Sequence, residues 1–118
     1  VDNVWICKVT HGAKGNGVEV FDDGYDVCDY VDSAYCGTGF AVVVQKYIEN
    51  PLLIHGFKFD IRVWVLVDMS HGVFIFRDGV LRLSSTPYNP SDLTDTFSHL
   101  TNHCIQQRSP HYESLVEG

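Results

Sequence analysis

A chain of 118 residues, 45% apolar and carrying a formal net charge of −7, has room for one compact domain with a modest core. The acidic balance excludes a broad nucleic-acid face, which needs a basic stripe. No apolar run reaches the ~20 residues of a membrane span and no basic-then-apolar leader is visible, while Val1 in place of Met suggests a fragment or a processed chain.

Val4–Val9 is short and β-branched and reads as a strand. His11–Gly17 follows as a glycine-rich loop, and Val18–Phe21 returns as the second strand of a hairpin. Asp22–Gly39 is acidic. Within it Val27, Tyr30, Val31 and Ala34 fall at helical spacing, which predicts a short helix with Asp22, Asp23, Asp26, Asp29 and Asp32 on its solvated face. Ala41–Tyr47 is a continuous apolar strand, and Asn50-Pro51 starts a connector. Lys58–Met69 is the strongest strand signal. Gly72–Phe76 and Val80–Ser84 read as two further strands joined by a turn at Arg77-Asp78-Gly79. These four strands are expected to form an antiparallel meander. Ser85–Asp95 is a loop rich in turn formers, His99–Gln106 a last short strand or helical turn, and Arg108–Gly118 a loose tail.

The cysteines, Cys7, Cys28, Cys36 and Cys104, show neither a CxxC pair nor zinc spacing. They read as reduced thiols of a cytosolic protein, with a Cys28–Cys36 disulfide as the alternative in a secreted one. The His11–Gly17 loop lacks the Gly-Lys-Ser/Thr ending of a phosphate-binding P-loop. Its glycines and Lys14 suit either close backbone approach to phosphate or a plain hairpin turn. Lys8 shares a strand face with Val4 and Ile6, where an anionic ligand would account for its charge. Lys58, Asp60 and Arg62 alternate onto one face of their strand, a platform for phosphate or carboxylate or else a solvated charge ladder. Phe59, Ile61, Val63, Val65 and Val67 take the opposite face and are expected to pack as its core side. Arg82 can fork onto a carboxylate. His99, Thr101, Asn102 and His103 form a dense polar cluster.

Together these segments resemble the tubulin-tyrosine ligase family. The carrying stretches are Trp5-Ile6-Cys7-Lys8 with Gly12-Ala13-Lys14-Gly15, Val44–Leu53, Lys58–Arg62 with Trp64–Val67, Asp78–Arg82 and His99–Gln106. They occur in the family's order and cover nearly the whole chain. The resemblance implies an α+β, ATP-grasp-like fragment spanning 1–118, mainly an antiparallel β-meander with a short helix. It implies an ATP-dependent ligase that joins an amine to a carboxylate through an acyl phosphate. Lys8, Lys14 and Lys58 would then meet ATP phosphates, and Gln45, Lys46, Tyr47 and Ile48 would form the adenine-side hinge. Asp60, Thr101 and Asn102 would face the nucleotide, and Arg62 and Arg82 would bind carboxylates. The implied partners are the C-terminal tail of α-tubulin and free tyrosine, in the cytoplasm and at the cytoskeleton. Ser84–Asn89 and His103-Cys104 side with the tyrosine-adding members, whereas polyglutamylases usually read Thr-Asn-Tyr-Ser at 101–104; glutamate or glycine is the alternative donor. An N-terminal tubulin-recognition domain and a later strand with a Glu-x-Asn pair for Mg²⁺ are not found in these residues. The 118-residue chain alone is therefore expected to bind nucleotide weakly and not to ligate, with a non-catalytic, truncated relative that keeps only nucleotide or tubulin affinity as the alternative reading.

Overall fold

The computed structural model describes residues 3–112. Nine elements follow in order: β1 (Trp5–Val9), β2 (Val18–Phe21), α1 (Gly24–Thr38), β3 (Val42–Lys46), β4 (Leu53–Ile54), β5 (Phe57–Asp68), β6 (Gly72–Leu83), α2 (Thr96–His99) and α3 (His103–Gln106). They build two three-stranded antiparallel sheets, ordered β2-β1-β3 and β4-β5-β6. Mostly antiparallel strands with a few short helices make this an α+β fold, as expected. Among the described residues no helix is long and apolar enough to cross a membrane.

The β1–β2 hairpin forms as expected, closed by Val9 N–H donating to the Gly17 carbonyl at 2.9 Å. Helix α1 is longer than the spacing signal, at 15 residues. The Asp23 side chain accepts from Tyr25 N–H at its start, and Gly39 in the left-handed region ends it (φ 70°). Val27, Tyr30, Val31 and Ala34 are its half-buried positions, while the five aspartates are exposed. Phe21 and Tyr30 meet with ring centroids 5.4 Å apart, so α1 covers the sheet face of Trp5, Cys7 and Phe21. Cys7 is fully buried there, and all four cysteines are free.

The expected four-strand meander does not form. β3 pairs with β1 instead, because the Asn50-Pro51 connector carries the chain away and the two-residue β4 takes the adjacent edge of β5. No turn occurs at Arg77-Asp78-Gly79 either, since β6 runs unbroken from Gly72 to Leu83. Val63 pairs with Gly79 and Val65 with Ile75, so three residues of β6 oppose Trp64 alone. The turn-like composition marks a β-bulge, and a Cβ at Gly79 would come within 3.0 Å of the Arg62 carbonyl oxygen on the partner strand. The reversal lies one strand earlier, at 68–72, where the Asp68 carboxylate accepts from Ser70 and His71 N–H groups.

Among the described residues the apolar face of β5 is not a core side. Ile61, Val63, Val65 and Val67 are each more than half exposed, as are Leu66 on the other face and Val73, Ile75 and Phe76 on β6. The far part of the β5–β6 ribbon is thus bare on both faces among the described residues. The radius of gyration, 16.6 Å, exceeds the about 13.5 Å of a compact chain of this length.

The packed centre lies elsewhere, where β3, the start of β5, the 84–95 loop, α2 and α3 converge. Tyr47, Leu100 and Ile105 are buried there with Ser84, Ser98, His99 and Gln106. Gln106 ties the region together. Its side-chain oxygen accepts from Ser85 N–H at 2.7 Å, and its amide donates to the Phe97 and Leu100 carbonyls. The turn after α3 continues to Tyr112, whose hydroxyl lies 3.3 Å from His103 Nδ1, so 108–112 are less loose than expected; 113–118 fall outside the described residues. Replacing Gln106 by Leu keeps most of the volume but orphans three buried backbone groups. Denaturant titration is expected to show a loss of about 2–4 kcal/mol. A loss below about 0.5 kcal/mol would show that this amide does not organise the centre.

Candidate functional site

On β1, alternation separates Cys7, which faces α1, from Ile6 and Lys8, which face the other way. Ile6 is in register with Gln45 on β3, so Gln45 shares the face of Lys8, and Lys8 Nζ donates to Gln45 Oε1 at 2.8 Å. Tyr47, two residues on, continues that face. Lys46 points the other way. Its ammonium bonds to the Val4 carbonyl and to Glu49, and stands 5.7 Å from the Trp5 ring centroid.

From the second sheet, β5 presents Lys58, Asp60 and Arg62 on one face, as the alternation predicts. Lys58 is pinned at both ends. Its N–H donates to Ser84 Oγ at 3.0 Å and its carbonyl accepts from Ser84 N–H at 2.8 Å. Its Nζ donates to the Tyr47 hydroxyl at 2.7 Å, beside the Tyr47 and Tyr88 rings. Removal from water, reinforced by the nearby charge of Lys8 and opposed by Asp60, pulls the Lys58 ammonium down to about 8.

Asp60 and Arg82 are cross-strand partners. Arg82 makes a two-pronged bond to the Asp60 carboxylate, Nε to Oδ1 at 2.6 Å and Nη2 to Oδ2 at 2.8 Å, and the Thr101 hydroxyl donates to the same Oδ2. Arg82 is therefore committed to Asp60 through two of its nitrogens. Arg62 is exposed, with no partner among the described residues. Asn102 caps α3 through its carbonyl, and its side chain makes no capping bond. It lies against the glycine loop. At Gly15 (φ +87°) a Cβ would meet Ile105 Cδ1 at 2.3 Å and Asn102 Cγ at 3.2 Å, so only glycine lets the loop sit this close.

The structure thus gathers three bonded groups, Lys8 with Gln45, Lys58 with Tyr47, and Asp60 with Arg82 and Thr101, and the charges of Lys8 and Asp60 both act on Lys58, with Asn102 at their margin. Lys14 is exposed on the loop (φ 62°) and lines a separate groove of about 420 Å³ with His11 and Phe40. Ile48 is 70% exposed, open to flat packing, while the Tyr47 N–H is taken by the Val4 carbonyl and its ring is enclosed. A larger groove of about 540 Å³ lies on the bare ribbon between Trp64 and Phe76, away from these polar groups. Four cations, Lys8, Lys58, Arg62 and Arg82, stand on this side of the two sheets with the Asp60 carboxylate, in a chain whose net charge is −7. Two groups escaped the sequence reading: Tyr88, which packs on Lys58 and His99, and the Asp92 carbonyl, which His99 Nε2 reaches at 2.9 Å. No sequence signal marks a backbone carbonyl, but a histidine beside Thr-Asn was already singled out.

The model of the tubulin-tyrosine ligase family matches residues 1–117. The chain belongs to that family. Tubulin glycylase 3B of Tetrahymena thermophila is 39% identical over 107 residues, covering 89% of this chain and 9% of that protein. The tubulin monoglycylase of Danio rerio is 39% identical over 114 residues (94% of this chain, 14% of that protein). A tubulin polyglutamylase of Homo sapiens is 33% identical over 114 residues (92% and 12%). The chain spans about a tenth of the length of the first of these relatives.

Two outcomes follow from the geometry. Asp60→Ala removes the acceptor of both Arg82 bonds and of Thr101, and is expected to cost about 1–2 kcal/mol at neutral pH; an unchanged denaturation midpoint would show that water replaces the carboxylate. Between about pH 8 and 10.5 the unfolded chain keeps the Lys58 proton that the folded chain has released. Stability contributed by this group therefore rises with pH across that window. From pH 7.5 to 9.5 the denaturation midpoint of the parent chain should move upward relative to that of Lys58→Met, and identical shifts would contradict the withdrawal of Lys58 from water.

Proposed function

We propose that this chain is the nucleotide-gripping part of an ATP-dependent ligase that adds amino acids to glutamate carboxylates of tubulin tails. One observation carries the reading: in an acidic chain, Lys8 and a half-buried Lys58 converge on one face, with Arg62 unpaired nearby. An ammonium half withdrawn from water, with the charge of Lys8 adding to its cost, is relieved by an anion, and a polyphosphate answers that need. In such chemistry the acceptor carboxylate takes a phosphoryl group from ATP, and the amine of the donor amino acid then displaces phosphate from the acyl phosphate. Rate comes from positioning and from neutralising phosphate charge.

Lys8 and Lys58 would hold phosphates, whereas Lys14 lines the separate groove and is not gathered with them. The segment Gln45–Ile48 would border the adenine, with Ile48 as its flat apolar contact. Arg62 is the group available to a carboxylate, and Asp60 with Thr101 would keep Arg82 in place beside it. Asn102 would line the same space. Mg²⁺ accompanies ATP in such reactions. Among the described residues no three His, Cys, Asp or Glu side chains converge, so this set does not form a cage for the ion.

Glycine or glutamate is the better-supported donor, since the relatives reported above are named glycylases and a polyglutamylase. Free tyrosine is the second reading, favoured by Ser84–Asn89 and His103-Cys104. The cytoplasm, where tubulin resides, is the expected setting. The test is ATP-dependent incorporation of labelled glycine, glutamate or tyrosine into tubulin by a protein carrying this segment at the length of its relatives. Glycine or glutamate is expected to enter, and Lys58→Ala should cut turnover by about 100-fold or more. Preferential entry of tyrosine would move the assignment to the second reading, and no entry of any of the three would overturn the ligase proposal. The 118-residue chain alone is expected to show no incorporation.

A further inference from the structure

A second set of contacts stands behind Lys58. His99 is 2% exposed and lies between two tyrosine rings, with centroids 5.6 Å from Tyr47 and 5.3 Å from Tyr88. Its Nε2 is 2.9 Å from the Asp92 carbonyl oxygen, which can only accept, so Nε2 carries the proton. Its Nδ1, 2.7 Å from the Tyr47 hydroxyl, is then an acceptor, and Tyr47 must donate to it. The lone pairs of that hydroxyl are left facing Lys58 Nζ at 2.7 Å. These three bonds run one way, from Lys58 to Tyr47 to His99 to the backbone of residue 92; the Tyr88 hydroxyl also neighbours that of Tyr47 but gives its own proton to the Glu49 carbonyl.

We infer that His99, acting through Tyr47, is a positioning residue that aims the Lys58 ammonium toward the space it shares with Lys8. Lys58 has four rotatable bonds and, among the described residues, no carboxylate within bonding distance; Asp60 is occupied by Arg82 and Thr101. Its side chain is held by one directed acceptor, and the direction of that acceptor is set by the tautomer of His99. Burial, aided by the Lys58 charge, keeps the imidazole below its ordinary range and therefore neutral at pH 7, against the opposing pull of the Asp92 and Asn89 backbone and of Asp95. A protonated His99 would donate from Nδ1, reverse the Tyr47 hydroxyl and set a second positive charge behind the ammonium. Around Lys58 the charged or titratable groups are Lys8 from β1, Tyr47 at the end of β3, Asp60 on β5, Tyr88 from the loop and His99 from α2. That the aimed ammonium meets a phosphate rests on the function proposed above; the relay itself does not.

The experiment is NMR of the 118-residue chain labelled in lysine and histidine, from pH 6 to 10, without nucleotide and then with Mg²⁺ and a non-hydrolysable ATP analogue. The imidazole ¹⁵N shifts of His99 should report the Nε2–H tautomer throughout. Tyr47→Phe and His99→Leu are each expected to lower the Lys58 midpoint by about half a pH unit or more, because the charged amine loses its directed acceptor. His99→Asn, which restores an acceptor near Nδ1, should recover part of that shift. An Nδ1–H tautomer, or a Lys58 midpoint unmoved in Tyr47→Phe, would overturn the relay. Tyr47→Phe conserves the ring, so it decides the matter even where His99→Leu does not fold. If the relay shifts appear but the analogue leaves the Lys58 resonance untouched, the relay stands and the nucleotide reading falls.

Discussion

An ammonium group half withdrawn from water, with another ammonium close by, is the condition around which this structure is arranged. Lys58 could relieve its position by pairing with a carboxylate, and Asp60 lies two residues away on the same strand face. Arg82 and Thr101 have taken that carboxylate instead. What remains for Lys58 is a phenol oxygen and two aromatic rings, partners that orient a cation without neutralising it. The charge is thus left available to an incoming anion. Ser84 fixes the backbone from which the side chain projects, and Gln106 fixes the loop that carries Ser84 and Ser85. The polar centre and the candidate site are consequently one mechanical unit.

Much of this was legible in the sequence, and the parts that were not share a cause. Strict alternation over Lys58, Asp60 and Arg62 gave the shared face correctly, because period-2 geometry is local. The β1–β2 hairpin and the inward stripe of α1 were legible for the same reason. Pairing between distant strands was not. Ala41–Tyr47 looked like a neighbour of Lys58–Met69 by order alone, yet it joins β1, and no local feature encodes that choice. Arg77-Asp78-Gly79 was misread because bulges and turns draw on the same residues. The commitment of Arg82 to Asp60 follows from a cross-strand register that only the assembled sheet supplies.

The bare ribbon was the largest departure from expectation. A strand face of Phe59, Ile61, Val63, Val65 and Val67 has the pattern of a core side, and the pattern is sound. What the described residues lack is a layer to lay on it. The chain spans 9% of the length of the Tetrahymena glycylase. Long exposed edges of this kind are also sites of unwanted strand pairing, so solutions of the isolated chain call for low concentration.

The central claim is that Lys58 is poised to receive an anion, and proton linkage tests it most directly. Calorimetric titration of the 118-residue chain with Mg²⁺ and a non-hydrolysable ATP analogue would be run at pH 8.5, in two buffers of different ionisation enthalpy. An anion drawn to Lys58 raises its affinity for a proton, so binding should take up about half a proton or more per nucleotide. That uptake should vanish in Lys58→Met. Binding with no proton uptake, or uptake that survives Lys58→Met, would contradict the account, and so would the absence of binding by a chain shown to be folded.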